Sequence, residues 1–470
     1  MINRRIATIF LSLIIALHVI LVPASGFADS IPAVPESRMT YLVMDAKTGH
    51  IICSSGNEND KVYPASLTKV MTAMVALDHC TDLDKQFLIS QAAIDGIGVD
   101  GQNTGRLKAG MYLDFGQLLN IMMIYSANET SCAIAENIGG TIDGFIDMMN
   151  AKADSLGLTG THYVNPCGMH DNDHYTTILD LAKIARASLD YPIIGEIAAK
   201  SGVSIDYGDG NSPVYYNSTN RLINQAHYGN YYNTTYTRDG ASFSYKVTGL
   251  KTGYTDPAGC CLITTSTSTE GREIITVVLR ASSSLVAANY SHKLLNYVHK
   301  NACTYTLCTS GEYYGTVDVQ GSSVDQIALV YEDNADISIL ASQFNSELVT
   351  AKYVIPETIT APISAGDHIG QVQFFYNNSD IPIASVSLIA GSDAPTAIPD
   401  STTDVPPSDT DDNNSHQVDA SPTTPSITVE NPEPKNNWGS ILIISAVGMC
   451  FFVTIVLFIN KNAAKIKEKL

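Results

Sequence analysis

The sequence predicts an α+β domain built on one antiparallel sheet, followed by a smaller all-β domain, and three observations carry that reading. Short apolar stretches of strand type both open and close the region from about 36 to 300. Longer stretches with apolar residues at three- and four-residue spacing fill its middle. Beyond about 305 the pattern changes to brief β segments punctuated by turn residues, with few helical periods.

Taken in order, Tyr41-Leu42-Val43-Met44 and Ile51-Ile52-Cys53, separated by Lys47-Thr48-Gly49, read as a hairpin. Helical periodicity then runs over 66–77, 115–124 and 177–189. Strands return at 249–252, 260–265 and 273–279, and 286–299 closes the domain as a helix. A leading hairpin and late strands place both chain ends in one sheet. In the second domain, 326–331, 370–375 and 383–389 alternate as strands of a small β-sandwich. No internal repeat is present.

The flanks say where this chain works. Arg4 and Arg5 precede a mostly apolar run over 6–22, and Gly26-Phe27-Ala28 supplies small residues before Asp29. That pattern predicts a secretory signal peptide over 1–28, with cleavage after Ala28. Near the other end, 439–459 holds no charged residue, long enough at about 1.5 Å per residue to span the ~30 Å hydrocarbon core. Trp438 precedes this expected transmembrane helix (438–460), and Lys461, Lys465, Lys467 and Lys469 follow it in a basic tail, 461–470. The positive-inside rule then puts the C-terminus in the cytoplasm and everything between 29 and 437 outside the membrane. Between 393 and 437 the chain is rich in Pro, Thr, Ser and Asp, a composition that cannot bury enough apolar surface to fold and reads as a solvated stalk. The expected domains are thus 29–304 and 305–392.

A formal net charge of -20 excludes a nucleic-acid surface, which needs clustered Lys and Arg. Nine cysteines are present, with Cys450 in the apolar C-terminal stretch. The other eight match no metal-ligand spacing, so no metal or cofactor is expected, and Cys303 with Cys308 is the pair to test for a bridge. His170 and His174 flank an Asp-rich turn, and without a metal they read as exposed loop histidines.

Three short motifs carry chemistry. Ser66-Leu67-Thr68-Lys69 opens a helix after Pro64-Ala65, so Ser66 and Lys69 share a face one turn apart. A lysine kept from its charged form by burial or a second cation can take the proton of that serine. Ser126-Ala127-Asn128 falls between two helical stretches, where a hydroxyl and an amide can project from a loop into a cleft. Lys251-Thr252-Gly253 lies on an expected edge strand, offering a cation and a hydroxyl to a carboxylate, with a glycine for close backbone approach. Each motif alone is common; their order and their helix, loop and strand settings make them specific together.

That ordered trio is the signature of penicillin-binding proteins and class A β-lactamases. Over about 36–300 the chain resembles the low-molecular-mass penicillin-binding proteins that act as serine D-alanyl-D-alanine carboxypeptidases. The likeness extends to Tyr63-Pro64-Ala65 before the nucleophile motif, to 157–166, to Asn220-Arg221-Leu222, and to Tyr254-Thr255-Asp256-Pro257-Ala258-Gly259. Residues 305–392, with Thr360-Ala361-Pro362-Ile363 and Gly366-Asp367-His368-Ile369-Gly370, resemble the β-rich domain of the same enzymes. The resemblance implies a β-lactamase/transpeptidase-like fold, peptidoglycan stem peptides ending in D-Ala-D-Ala as substrate, and acylation by β-lactam antibiotics. It also implies roles. Ser66 is the acylated nucleophile, Lys69 its base, Ser126 the proton relay, and Asn128 lines the cleft. Lys251 and Thr252 receive the terminal carboxylate along the Gly253 strand, and the backbone N–H groups of Ser66 and Tyr254 form the oxyanion hole.

Two departures stand out. The family often carries an arginine between the last strand and last helix, but 282–288 has none, leaving Arg280 nearby; and a Tyr- and Asn-rich stretch, 226–245, reads as a loop insertion beside the cleft. Among rivals, a β-lactamase would need a deacylating carboxylate, and the surroundings of Glu196 do not resemble one. A silent wall-binding scaffold would have no need of Ser66, Lys69, Ser126, Asn128 and Lys251 together, whereas an endopeptidase acting on cross-links shares the same first step.

Overall fold

The computed structural model describes residues 30–96, 105–208, 210–238, 240–377 and 382–397. The expected signal peptide and transmembrane helix, and all of the stalk beyond 397, lie outside the described residues. Among those described, no helix is long and apolar enough to cross a membrane.

The larger domain is organised by a six-stranded sheet. Its strands are β1 (Thr40–Asp45), β2 (Ile51–Ser55), β3 (Thr235–Arg238), β4 (Ala241–Thr255), β5 (Gly259–Ser268) and β6 (Glu273–Ala281), in the spatial order β2-β1-β6-β5-β4-β3. Strand β1 pairs antiparallel with β6, Thr40 opposite Leu279, so both ends of the domain do meet in one sheet. The sheet is buried on both sides. Leu42 and Met44 point into the core shared with the helices, while Tyr41 and Val43, one residue out of phase, pack in a second core. That two-sided burial explains why β1 reads as an unbroken apolar run.

Five helices frame the site: α1 (Thr68–His79), α2 (Phe115–Asn120), α3 (Asn128–Gly139), α4 (Ile178–Ala187) and α5 (Ser284–Asn301). Helix α1 is buried from Thr68 through Leu77, on every face, with its one lysine, Lys69, included. Helix α5 covers the opposite side of the sheet through Ala287, Leu294, Leu295 and Val298. Its N-cap Ser283 accepts from the Val286 N–H, which satisfies one of the otherwise unpaired first-turn donors.

The helical stretch expected over 115–124 is two elements. After α2 the backbone widens into a π turn, Ile121–Tyr125, which ends at Ser126 in the left-handed region at φ 70°. The stretch 226–245 also differs from a loop insertion. It is partly a hairpin, with β3 paired to the first residues of β4, Thr235 opposite Ser244. Pairing beyond that stops, so the later part of β4, which carries Lys251 and Gly253, borders the cleft as an edge.

The second domain holds a six-stranded sheet in the order Val349–Val354, His368–Tyr376, Pro382–Ala390, Gln326–Tyr331, Tyr313–Gln320, Thr358–Thr360. A separate ribbon, Ala302–Thr306 with Asp336–Leu340, contributes Ile337 and Ile339 to the same core as Leu329, Val372 and Leu388. The ribbon's first strand continues directly from α5. Ala394 is fully buried and bridged to Ile363, so the folded chain runs past 392.

The eight cysteines among the described residues are free thiols. A Cys303–Cys308 bridge does not form. Cys303 lies in the extended strand Ala302–Thr306, and five residues at about 3.3 Å each carry Cys308 far beyond the ~7 Å Cα limit of a disulfide.

Candidate active site

The nucleophile is set by a strained turn. A single 3-10 turn, Ala65–Leu67, precedes α1, and Ala65 sits at φ 49°, a region non-glycine residues avoid. Ser66 follows it and lines a cleft of about 310 Å3 together with Ser126, Thr252, Gly253 and Tyr254. One turn further, the fully buried Lys69 donates from Nζ to Ser66 Oγ at 2.9 Å, to Asn128 Oδ1 at 2.8 Å and to the Cys167 carbonyl at 2.6 Å. Three acceptors use all three ammonium protons. Burial nonetheless pushes its pKa down to about 8, which brings the neutral amine within reach near physiological pH.

Ser126 projects from the end of the π turn, and its Oγ accepts from Lys251 Nζ at 2.7 Å. Lys251 is 1% exposed and also donates to the Thr252 carbonyl at 3.0 Å. It therefore sits beneath Ser126 and reaches the cleft through that hydroxyl, while Thr252 and Gly253 face the cleft themselves. Burial, then the nearby Lys69, lowers the Lys251 pKa well below its ordinary value. Thr252 Oγ1 lies 2.6 Å from Thr219 Oγ1, a hydroxyl pair on the cleft wall. A Cβ placed on Gly253 would lie 3.2 Å from the backbone nitrogen of Ser66, so a side chain there would crowd this edge strand away from the nucleophile turn by a few tenths of an ångström. Tyr254 turns its ring outward, 60% exposed, with its hydroxyl on Asp256.

All eight expected residues thus converge, and the structure adds others. The loop at 165–169 underlies the nucleophile: Asn165 Oδ1 accepts from the N–H groups of Gly168 and Met169 at 2.7 and 3.1 Å. Thr72 Oγ1 pins Pro166 O at 2.6 Å. Gly168, at φ 84°, lies so close that a Cβ there would fall 1.8 Å from Ala65 O. His174 is buried, not an exposed loop residue, because Thr68 and the Val164 N–H both hydrogen-bond to its ring. Arg221 lines the far end of the cleft, its Nε donating to Ser284 Oγ at 3.0 Å and its guanidinium 4.3 Å from the Tyr228 ring. Arg280 instead reaches toward Lys61 O and does not line the cleft. A cation on the loop after 217 thus meets the first turn of α5, the segment in which 282–288 lacks an arginine. Sequence separation hides this, since Arg221 and Ser284 are 63 residues apart. Glu196 is exposed on the helix Pro192–Ala198 and contributes nothing to the cleft. Among the described residues no group of three His, Cys, Asp or Glu side chains is placed to hold a metal ion.

Residues 30–283, the larger domain up to helix α5, match the family described as D-alanyl-D-alanine carboxypeptidase. The chain belongs to that family. Residues 303–396 match the C-terminal domain of penicillin-binding protein 5. Among relatives of this carboxypeptidase family member is D-alanyl-D-alanine carboxypeptidase DacA of Haemophilus influenzae, 26% identical over 408 residues, covering 83% of this chain and 94% of that protein. DacF of Bacillus subtilis is 28% identical over 341 residues, covering 71% and 80%. The D-alanyl-D-alanine endopeptidase of Pseudomonas aeruginosa is 30% identical over 270 residues, covering 56% of this chain and 79% of the relative. In fold, the chain superposes on penicillin binding protein 5 of H. influenzae with a TM-score of 0.59 at 23% identity, covering 79% of this chain and all of the other. The PBP3 of Streptococcus pneumoniae gives 0.60 at 22% identity, covering 76% and 98%.

Proposed function

We propose that this protein is a serine-type D-Ala-D-Ala carboxypeptidase that removes the terminal D-alanine from peptidoglycan stem pentapeptides through an acyl-enzyme on Ser66 and is acylated by penicillin. The observation that carries the reading is the contact of 2.9 Å between Ser66 Oγ and the amine of the buried Lys69, at the mouth of the cleft. In its neutral form that amine takes the Ser66 proton as Oγ attacks the carbonyl carbon between the two D-alanines. The N–H groups of Ser66 and Tyr254 hold the developing oxyanion. Ser126, hydrogen-bonded to Lys251, relays a proton to the leaving D-alanine nitrogen as the peptide bond breaks. Water then hydrolyses the Ser66 ester and frees the shortened peptide. Asn128 keeps Lys69 aimed at Ser66, and Thr252, Arg221 and the field of Lys251 bind the terminal carboxylate.

The reading includes location. A cleavable signal peptide, a stalk and a C-terminal membrane helix would hold the catalytic domain outside the cell membrane, where its substrate is.

Intact mass of the residue 29–437 ectodomain after exposure to benzylpenicillin tests the mechanism. A stable adduct on the wild type that is absent from Ser66→Ala is expected. Rapid loss of the antibiotic without an adduct would instead make the protein a β-lactamase. Neither adduct nor turnover would leave a silent wall-binding protein. Release of free D-alanine from a pentapeptide, set against cleavage of a cross-linked dimer, separates carboxypeptidase from endopeptidase.

A further inference from the structure

Outside the catalytic constellation, one buried titratable group is tied to the nucleophile by an unbroken run of hydrogen bonds. His174 lies in the segment between the 165–169 loop and α4, and it is 2% exposed. Its Nδ1 accepts from the Val164 N–H at 3.1 Å, which leaves the ring proton on Nε2. Nε2–H then donates to Thr68 Oγ1 at 2.8 Å, and Thr68 Oγ1 spends its own proton on the Ala65 carbonyl, also at 2.8 Å. Every donor and acceptor in this run is committed, Thr68 Oγ1 accepting from the ring and donating to the carbonyl. A second proton on His174 would set Nδ1–H against the Val164 N–H, donor facing donor.

The carbonyl at the end of the run is a sensitive place. Ala65 holds the left-handed conformation immediately before Ser66, a strained state that persists only when its surroundings impose it. On one side Gly168 presses against Ala65 O; on the other Thr68 grips it by hydroxyl and by backbone N–H. Without the ring, the Thr68 hydroxyl would be left with the Ala65 carbonyl alone to fix its rotation. His174 removes that freedom, since a hydroxyl that must accept from Nε2–H has its single proton left to point at Ala65.

We infer that His174 is a positioning residue for the nucleophile: acting through Thr68, its neutral ring locks the Ala65 carbonyl and so fixes Ser66 Oγ against Lys69 and the oxyanion site. The inference deepens the proposed acyl-serine mechanism and rests on it. Burial is what keeps the ring neutral, lowering its pKa to about 3; Asp171 opposes that shift, while His162, Lys69 and His170 reinforce it.

Stopped-flow acylation by benzylpenicillin, which separates initial binding from the covalent step, tests it in His174→Phe and His174→Gln. The Phe ring fills the space but neither donates nor accepts. The Gln amide keeps one donor and one acceptor. In His174→Phe the acylation rate constant should fall on the order of 10- to 100-fold with initial binding changed less than about 3-fold, the mark of misplaced reacting atoms. In His174→Gln most of the rate should return. Thr68→Val cuts the same run at the hydroxyl and serves if His174→Phe does not fold; it should show the same selective loss. A folded His174→Phe that acylates at the wild-type rate overturns the inference, and so do Gln and Phe variants equally slow. If the wild type itself is never acylated, the failure belongs to the proposed function.

Discussion

Lys69 is an uncommon residue in the fully buried first turn of a helix, and its chemistry follows from that position. An ammonium with no exposure loses the solvation that favours its charged form, and the three oxygens around it restore only part. Its pKa therefore falls to about 8 from the ordinary 10.5. The base in the proposed mechanism is the neutral amine, so the acylation rate constant should rise with pH below about 8 and level off above it. A profile flat from pH 6 to 9 would mean that another group takes the proton. Motif spacing placed Lys69 beside Ser66, but not the Cys167 carbonyl at 2.6 Å, which comes from 98 residues away. The same limit hid His174. The Asp-rich turn before it makes it read as solvated, whereas Thr68, 106 residues away, and the Val164 N–H claim its two ring nitrogens. Residue types and local spacing reveal which groups can react. They do not reveal which backbone carbonyls and buried rings hold them.

At the scale of elements, the site is a meeting of three backbone pieces that approach closer than side chains allow. The nucleophile turn lies between the β4 edge at Gly253 and the 165–169 loop at Gly168. Both glycines were within reach of sequence reasoning, Gly253 through its motif and Gly168 only as the neighbour of a family-like stretch. Gly168 meets the stricter condition, with φ at 84° and a hypothetical Cβ overlapping Ala65 O at 1.8 Å. Gly168→Ala must therefore either strain its own backbone or push the Ala65 turn away. A loss of about 3 kcal/mol is expected in urea unfolding, together with slowed acylation of the folded fraction. Stability within a few tenths of the wild type would show that the loop and the turn do not touch as described. The hairpin β1–β2, the strands β5 and β6 and helix α5 all read correctly from periodicity, because each buries a regular face. The π turn at 121–125 did not, since one extra residue in a turn leaves an apolar pattern unchanged. The β3–β4 hairpin was obscured by its Tyr, Asn and Thr content, which resembles loop composition while its ends pair.

Over the whole molecule, the burial that tunes the site also sets its response to acid. Two buried histidines lie on opposite sides of the catalytic sheet: His174 under the nucleophile turn and His299 near the end of α5, against Ser266 Oγ at 2.9 Å. Burial lowers both pKa values to about 3, and Arg272 adds to the effect at His299. An unfolded chain restores each to about 6.5, so below that pH the unfolded state binds protons that the native state refuses. The stability tied to their neutrality is complete above pH 6.5 and is lost as pH falls toward 3, by up to ~1.4 kcal/mol per histidine for each pH unit. His50 and His292, lowered in the same direction, add to the trend. By contrast, the one histidine among the described residues of the β domain, His368, is exposed beside Glu332. Acid should therefore loosen the catalytic domain before the β domain. Urea midpoints at pH 7, 6 and 5, read by amide exchange along 274–279 for the first domain and along 326–331 and 382–390 for the second, should diverge. Parallel decline of both would mean that the two domains unfold as one unit, with the ribbon Ala302–Thr306 and Asp336–Leu340 coupling them through α5. A first-domain midpoint that holds from pH 7 to 5 would show that both rings take up protons in the folded state as readily as in the unfolded one, and the run from Val164 to Ala65 would then lose its fixed direction.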